Sequence, residues 1–183
     1  INVAEIAALI LLSGFFSSAE IAFASANRLR LKSAAASGGL ADRLAFSLYE
    51  GYDRLLVSIL IGDNLVNIAA SSVATVIAIS LIGDDGALVA TAVMTVLILI
   101  FGEIVPKIVA VQSPDRFARF FALPLRVLST LLFPFVFVIQ LLLKLVDRLW
   151  ADRLPDGPSV TEDDLESIID TVEDEGVIDE DRA

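Results

Sequence analysis

Long apolar stretches dominate the chain, and three of them reach the roughly 20 residues that a helix needs to cross a bilayer. They cover residues 3–26, 55–82 and 87–111. The first lacks a preceding basic region and is too long for the apolar part of a signal peptide, so we predict that it also stays in the membrane. The chain opens at Ile1 without a Met, and we therefore expect further residues upstream.

A fourth apolar segment, residues 127–146, is predicted to lie on the membrane rather than cross it. Its flanking basic residues are Arg116, Arg119 and Arg126 on one side and Lys144, Arg148 and Arg153 on the other. Basic residues at both ends favour a cytoplasmic position for both ends. Because Pro124 and Pro134 would break or kink a helix here, we predict a bent helix at the inner interface. A crossing helix is the alternative.

The loops between the predicted spans differ in charge. The 27–54 connection contains Arg28, Arg30, Lys32, Arg43 and Arg54. The turn at residues 83–86 has no basic residue. The positive-inside bias therefore predicts an N-terminus outside and the 27–54 connection in the cytoplasm. We expect a multi-pass protein of the cell inner (plasma) membrane. That connection is predicted to form two short helices broken at residues 37–39.

Acidic residues are concentrated at the C-terminal end. The formal net charge is −11, and residues 159–183 hold eleven acidic residues against one Arg. Two prolines and a glycine within residues 151–158 predict a linker between a transmembrane domain over residues 1–150 and a cytoplasmic acidic helical segment over residues 159–183. Because its like charges repel, we predict that this segment responds to Mg²⁺; a merely solvated face is the alternative.

Composition supports this picture and removes several chemistries. Hydrophobic residues make up 56% of the chain and the mean hydropathy is +0.79, so we predict an all-α membrane protein with three transmembrane helices. The chain has no Cys and no His. Thiolate metal sites, disulfides, imidazole bases and Ser/His or Cys/His catalysis are therefore excluded.

Three polar clusters lie within the predicted spans, where ionisable and amide side chains are costly and so indicate function. The neighbouring polar positions in these clusters are Ser13 with Ser17, Asp63 with Asn67, and Gly102 with Glu103. At about 1.5 Å per residue, all three clusters lie some 10 to 15 Å above the cytoplasmic boundary. Pro106 has no amide hydrogen for the carbonyl four residues back, which leaves the Gly102 oxygen free. Oxygen ligands alone suit a hard cation such as Mg²⁺, Ca²⁺ or Na⁺.

Some of these residues have a structural alternative. Ser13 and Ser17 are typical of close helix packing, and Asn67 is typical of a hydrogen bond between helices. For Asp63 and Glu103 the alternative is weaker, because an unpaired carboxylate at that depth costs several kcal/mol.

Two further charges are predicted to be structural. We expect Glu20 to reach the inner surface or to pair with Arg28, and Lys107 to anchor its helix at the interface.

The motifs around Ser13, residues 62–67 and residues 102–106, together with Glu175-Gly176-Val177-Ile178, resemble the CorC/cyclin M family of magnesium transporters. The resemblance covers essentially the whole chain. It implies a homodimer in the lipid bilayer with three spans per subunit and a juxtamembrane belt helix matching residues 115–150. It also implies an acidic helical bundle leading to cytoplasmic cystathionine-β-synthase-type domains that lie outside this chain and would be its only link to ATP. We expect no nucleic-acid partner.

The resemblance further implies Mg²⁺ export coupled to Na⁺ entry. The residues that match the family's ion ligands are Ser13, Ser17, Asp63, Asn67, Gly102 and Glu103. One of them departs from the family pattern, because Asp63 stands where the family usually has Asn. The added carboxylate either holds a cation more strongly or, if the two acids repel, keeps one of them protonated.

Two other functions compete with transport. The chain would be a regulatory membrane module if it bound Mg²⁺ without moving it and the acidic segment reported the binding. An intramembrane aspartyl hydrolase would use Asp63 and Glu103, but the expected paired Asp motifs are missing. We therefore expect an ion-transport protein and not an enzyme.

Overall fold

The computed structural model describes the backbone of residues 3–151 and the side chains of residues 3–146. Over these residues the chain is helical and has no strand, so the predicted all-α membrane fold is confirmed. The acidic segment at residues 159–183 lies outside the described residues, and its helix stays a prediction. The packing described below belongs to one compact unit, Ile1–Leu141; residues from Leu142 onward form a second unit.

The three predicted membrane spans are all helices. The first is α1 (Val3–Ser25) and the second is α4 (Tyr52–Ile82). The third, Gly86–Val111, is continuous but not uniform. It consists of α5 (Gly86–Leu97), a π-helical segment (Ile98–Ile104) and α6 (Val105–Val111).

The connection between the first two spans forms two short helices, as predicted. They are α2 (Arg28–Ser37) and α3 (Leu40–Glu50), separated by two glycines. Asn27 caps α2, since its side-chain oxygen accepts a hydrogen bond from the Arg30 N–H at 3.1 Å. The turn before α5 depends on Gly83, whose φ of 78° disfavours any residue with a Cβ.

The fourth apolar segment is bent, as predicted, and the bend lies just before Pro134. Helices α7 (Pro114–Leu131) and α8 (Phe133–Ala151) meet at an angle of 76°. Pro124 lies inside α7 without ending it, so of the predicted break or kink there, the break does not occur. Pro134 is the second residue of α8, where its missing N–H has no helical partner to lose. By length and composition the two helices make a fourth span only if the bent pair is counted as one, so whether the segment crosses the membrane or lies on it stays a prediction.

Helix α1 lies at the centre of this unit and packs against α4, the π-helical segment, α6 and α7. One apolar cluster joins α1 to α2, α3, α4 and α7 around Phe23, Leu55 and Leu125. A second, smaller cluster joins α4 to α5 around Ala70 and Met94. Apolar side chains on the outer faces of α4 and α5 are largely exposed, which is typical of helices in contact with lipid.

Candidate ion site

The structure brings Ser13, Asp63 and Gly102 into contact, although they belong to three different spans. The Ser13 hydroxyl donates a hydrogen bond to Asp63 Oδ1 at 2.9 Å. Ser13 is fully buried and Gly102 is also buried. A Cβ on Gly102 would lie 2.8 Å from Ser13 Oγ, so the glycine is what lets the hydroxyl approach the third span. Ser13 therefore does more than pack, because it holds a carboxylate at membrane depth.

Asn67 and Glu103 line one cleft beside this contact. The cleft has a volume of about 310 Å³ and lies between α4 and the third span. Asn67 Oδ1 is buried and accepts no hydrogen bond. A buried amide oxygen without a partner is costly, and a cation is a partner that such an oxygen can take. Within the part of the chain that the structure describes, Glu103 makes neither an ion pair nor a side-chain hydrogen bond.

Ser17 lies one turn after Ser13 on the same helix. It is only 2% exposed, so it faces the interior of the helix bundle. The adjacent Ser18 donates to the Pro106 carbonyl at 3.3 Å and ties α1 to α6. Of the six predicted ligands, five are thus placed around the Ser13 contact or the cleft, and Ser17 lies beside them on α1. Their role as metal ligands stays a prediction.

The pairing of two nearby charges differs from the prediction. Glu20 binds Lys107, with 3.0 Å between Oε2 and Nζ, and Arg28 instead pairs with Glu50 at 3.0 Å. Lys107 is therefore an ion-pair partner and not merely an anchor at the interface. Because Lys107 is occupied by Glu20, it does not neutralise Glu103.

The π-helical segment affects which backbone carbonyls lack a hydrogen bond from the position of Pro106. The Val105 N–H donates to the Ile100 carbonyl five residues back. At the next position Pro106 has no N–H, so the Phe101 carbonyl receives no hydrogen bond from it at this spacing. The prediction for Gly102 assumed the four-residue spacing of an α-helix. The π-helical register adds Phe101 as a carbonyl without that donor.

A close approach of α1 and α4 supports the site from one side. A Cβ on Gly62 would lie 2.6 Å from the Phe16 ring, so the aromatic ring packs directly on the backbone next to Asp63. Phe16 itself is 4% exposed. The prediction from sequence did not include this contact, because it joins positions far apart in the chain.

Two lining residues of the cleft were also missed from sequence. Ser71 and Thr95 share the cleft with Asn67 and Glu103. The signal was present, because Ser71 follows Asn67 by four residues, the spacing of one helix face. Their hydroxyls add neutral oxygen atoms near the cleft.

The donor set is suited to a hard cation bound through few charges. Among residues 3–146, no three carboxylates come together as a candidate metal cluster. The oxygens available instead are those of two carboxylates, an amide, hydroxyls and backbone carbonyls. Mg²⁺ dehydrates reluctantly and usually binds through one or two carboxylates while keeping several waters, which is consistent with this arrangement.

Known proteins are similar to this chain in amino-acid sequence. The UPF0053 inner membrane protein YfjD of Escherichia coli K12 is 32% identical over 161 residues, which cover 86% of this chain and 37% of that protein. A UPF0053 protein of Haemophilus influenzae is 38% identical over 135 residues, covering 74% of this chain and 32% of that protein. A chloroplastic DUF21 domain-containing protein of Arabidopsis thaliana is 38% identical over 129 residues, covering 70% of this chain and 20% of that protein.

The chain therefore spans little more than a third of these relatives, or less. A family model described as the cyclin M transmembrane N-terminal domain matches residues 5–182, nearly the whole chain. The residues of the Ser13 contact and of the cleft all lie within the matched region. The chain is a multi-pass membrane protein that belongs to the cyclin M transmembrane domain family.

Proposed function

We propose that this chain is the ion-translocating part of a magnesium transporter. The observation that carries the proposal is the cleft shared by Asn67 and Glu103, where a carboxylate without an ion-pair partner lies beside an amide oxygen without a hydrogen-bond partner. Each would cost several kcal/mol at membrane depth if left unpaired, and a bound cation offsets both costs.

The two carboxylates have different roles in this proposal. Asp63 is held by the Ser13 hydroxyl, so its position is fixed before an ion arrives. Glu103 lines the open cleft and supplies the charge that first attracts the cation. Asn67, Ser17 and the Gly102 carbonyl supply neutral oxygens that replace lost waters.

Several features of the complete transporter rest on the family resemblance. We propose Mg²⁺ export coupled to Na⁺ entry, a homodimer, an outside N-terminus, and ATP acting only through regulatory domains beyond this chain. The 27–54 basic connection supports the orientation. Alternating access around a site between helices is the mechanism expected for such a secondary transporter.

Flux across liposomes tests the proposal. The purified chain is reconstituted, and Mg²⁺ movement is followed while the Mg²⁺ and Na⁺ gradients are varied separately. We expect Mg²⁺ flux in the wild type and none in Glu103→Gln. The wild-type flux should be faster when Na⁺ flows down its gradient in the direction opposite to the Mg²⁺ movement. Glu5→Gln is the matched control, since it makes the same change at an exposed residue at the start of α1.

The outcomes separate the alternatives. Mg²⁺ binding without flux in the wild type favours the regulatory module over the transporter. Wild-type flux in Glu103→Gln contradicts the site. Mg²⁺ flux that does not depend on the Na⁺ gradient supports magnesium transport but contradicts sodium coupling.

A further inference from the structure

A second concave surface lies away from the ion site, where the start of α4 meets the bend between α7 and α8. Its volume is about 520 Å³. We call it the arginine groove, and its defining residues are Arg54, Arg126, Ser129, Phe133, Phe137 and Gln140. None of them belongs to the ion site.

The charges of the arginine groove are unbalanced. Neither Arg54 nor Arg126 has an acidic partner within the described residues, whereas Arg28, Arg30 and Arg119 each pair with a carboxylate. Two guanidinium groups at one groove make it a site of positive charge. Arginine binds phosphate through two parallel hydrogen bonds, so an anion with phosphate oxygens fits this surface.

A polar atom of the groove also lacks a partner. Ser129 Oγ is buried and makes no hydrogen bond. The neighbouring hydroxyl of Thr130 has one, because it donates to the Arg126 carbonyl at 2.8 Å. Ser129 is therefore a donor available to a ligand that reaches the floor of the groove.

The other wall of the groove is apolar and exposed. Phe133 and Phe137 are 60% and 57% exposed, and their ring centroids lie 6.3 Å apart. Arg54 is the third residue of the membrane-spanning α4, which places the charged wall at the edge of the hydrocarbon core. A free inorganic phosphate would leave the phenylalanines uncovered, whereas a phospholipid covers them with its acyl chains.

We infer that the arginine groove binds an anionic phospholipid. The lipid phosphate lies between Arg54 and Arg126 near Ser129, and the acyl chains cover Phe133 and Phe137. Because the groove is lined by both arms of the 76° bend, a bound lipid would also hold α7 and α8 at that angle. The shared chemistry with free anions is the phosphate group, and the apolar wall selects the lipid.

Native mass spectrometry of the whole chain, released from mixed micelles, tests this inference. The probes are phosphatidylglycerol, phosphatidylcholine and, in a separate arm, inorganic phosphate. We expect the wild type to retain phosphatidylglycerol in preference to phosphatidylcholine. Arg54→Gln with Arg126→Gln should lower that retention about tenfold or more, because each basic residue near a membrane contributes about 1 kcal/mol. Ser129→Ala should lower it less.

The matched control is Lys32→Gln with Arg43→Gln, which removes the same charge at exposed residues outside the groove. It should retain phosphatidylglycerol as the wild type does. A second pair, Arg54→Lys with Arg126→Lys, keeps the charge and should retain an intermediate amount of phosphatidylglycerol. This pair provides the test if the glutamine variant does not fold.

Four results would overturn the inference. The first is equal retention of the two lipids by the wild type, and the second is unchanged phosphatidylglycerol retention in both arginine pairs. The third is displacement of the bound lipid by inorganic phosphate as effectively as by added lipid, and the fourth is an arginine pair that loses a dimer but keeps the lipid. The last would assign the groove to a second copy of the chain. Mg²⁺ binding should stay at the wild-type level in the groove variants, so failure of this inference is distinguishable from failure of the transport proposal.

Discussion

The two carboxylates at membrane depth differ in their surroundings, and this difference decides what each side chain does. Asp63 accepts a hydrogen bond from Ser13, while Glu103 lines the cleft with no such partner among the described residues. Where the family usually has Asn, Asp63 keeps the same acceptor oxygen for the Ser13 hydroxyl. Asp63 therefore adds a charge at this position without removing the acceptor that the Ser13 hydroxyl uses.

Glu103→Gln is expected to lower Mg²⁺ affinity by about 100-fold or more, because the charge of the cleft is lost while size and one oxygen are kept. Ser17→Ala should lower the affinity by only about tenfold, because it removes a neutral hydroxyl. Calorimetric titration measures both, with residues 159–183 deleted from every variant to remove the acidic segment's own cation sites. Wild-type affinity in folded Glu103→Gln protein would contradict the assignment.

Gly102→Ala is expected to destabilise the fold by about 1–3 kcal/mol, because its Cβ would overlap Ser13 and displace the hydroxyl from Asp63. Mg²⁺ affinity should fall with it. Gly39→Ala is the control, since a Cβ there meets nothing within 4 Å. Denaturant unfolding in detergent gives the stability difference. If Gly102→Ala were as stable as Gly39→Ala, the contact between Ser13 and Gly102 would not be tight.

At the scale of elements, the third span is interrupted by the π-helical segment Ile98–Ile104, which contains Gly102 and Glu103. A π-helical turn is rarer than an α-helical one and often occurs at functional sites. Because Pro106 has no N–H, the Phe101 carbonyl receives no hydrogen bond from it at the five-residue spacing of this segment. Spacing for an α-helix alone identified only the Gly102 carbonyl, because it did not include the π-helical register.

Pro106→Ala restores an N–H at the end of the π-helical segment. We expect the new donor to occupy a free carbonyl, so that Mg²⁺ binding weakens even though the helix gains a hydrogen bond. Hydrogen exchange of the third span, read beside the Mg²⁺ titration, separates the two effects. Pro134→Ala is the control, because that proline lies in the first turn of α8 and its missing N–H breaks no helical bond. Unchanged Mg²⁺ affinity in Pro106→Ala would argue against a ligand role for the freed carbonyl.

For the whole molecule, the central question is which ends of the spans face the cytoplasm. Labelling of introduced cysteines decides it, because the chain has no Cys of its own. Asp84→Cys in the turn before α5 should react with a membrane-impermeant reagent from outside, because the basic 27–54 connection favours the inside. Ser33→Cys on α2 should react only after the membrane is permeabilised. The reverse pattern would invert the proposed orientation.

Much of this architecture follows from local sequence properties. The length of each apolar stretch is read along the chain without reference to its neighbours, and so the three spans could be predicted. The break between α2 and α3 could likewise be predicted, because two adjacent glycines weaken a helix through local backbone entropy. The candidate ligands could be listed because a polar side chain in an apolar stretch stands out, whatever packs against it.

What the sequence by itself determined is therefore the three apolar helices and the chemical types of oxygen available within them. Only the tertiary structure decided which side chains meet. Ser13 donates a hydrogen bond to Asp63, which lies 50 positions away in the sequence. Glu20 forms an ion pair with Lys107 and not with Arg28, which is nearer in the sequence. These pairings depend on how each helix is rotated about its axis, and that rotation is set by the packing of distant residues such as Phe16 on Gly62. Spacing along one helix carries no information about the rotation of another.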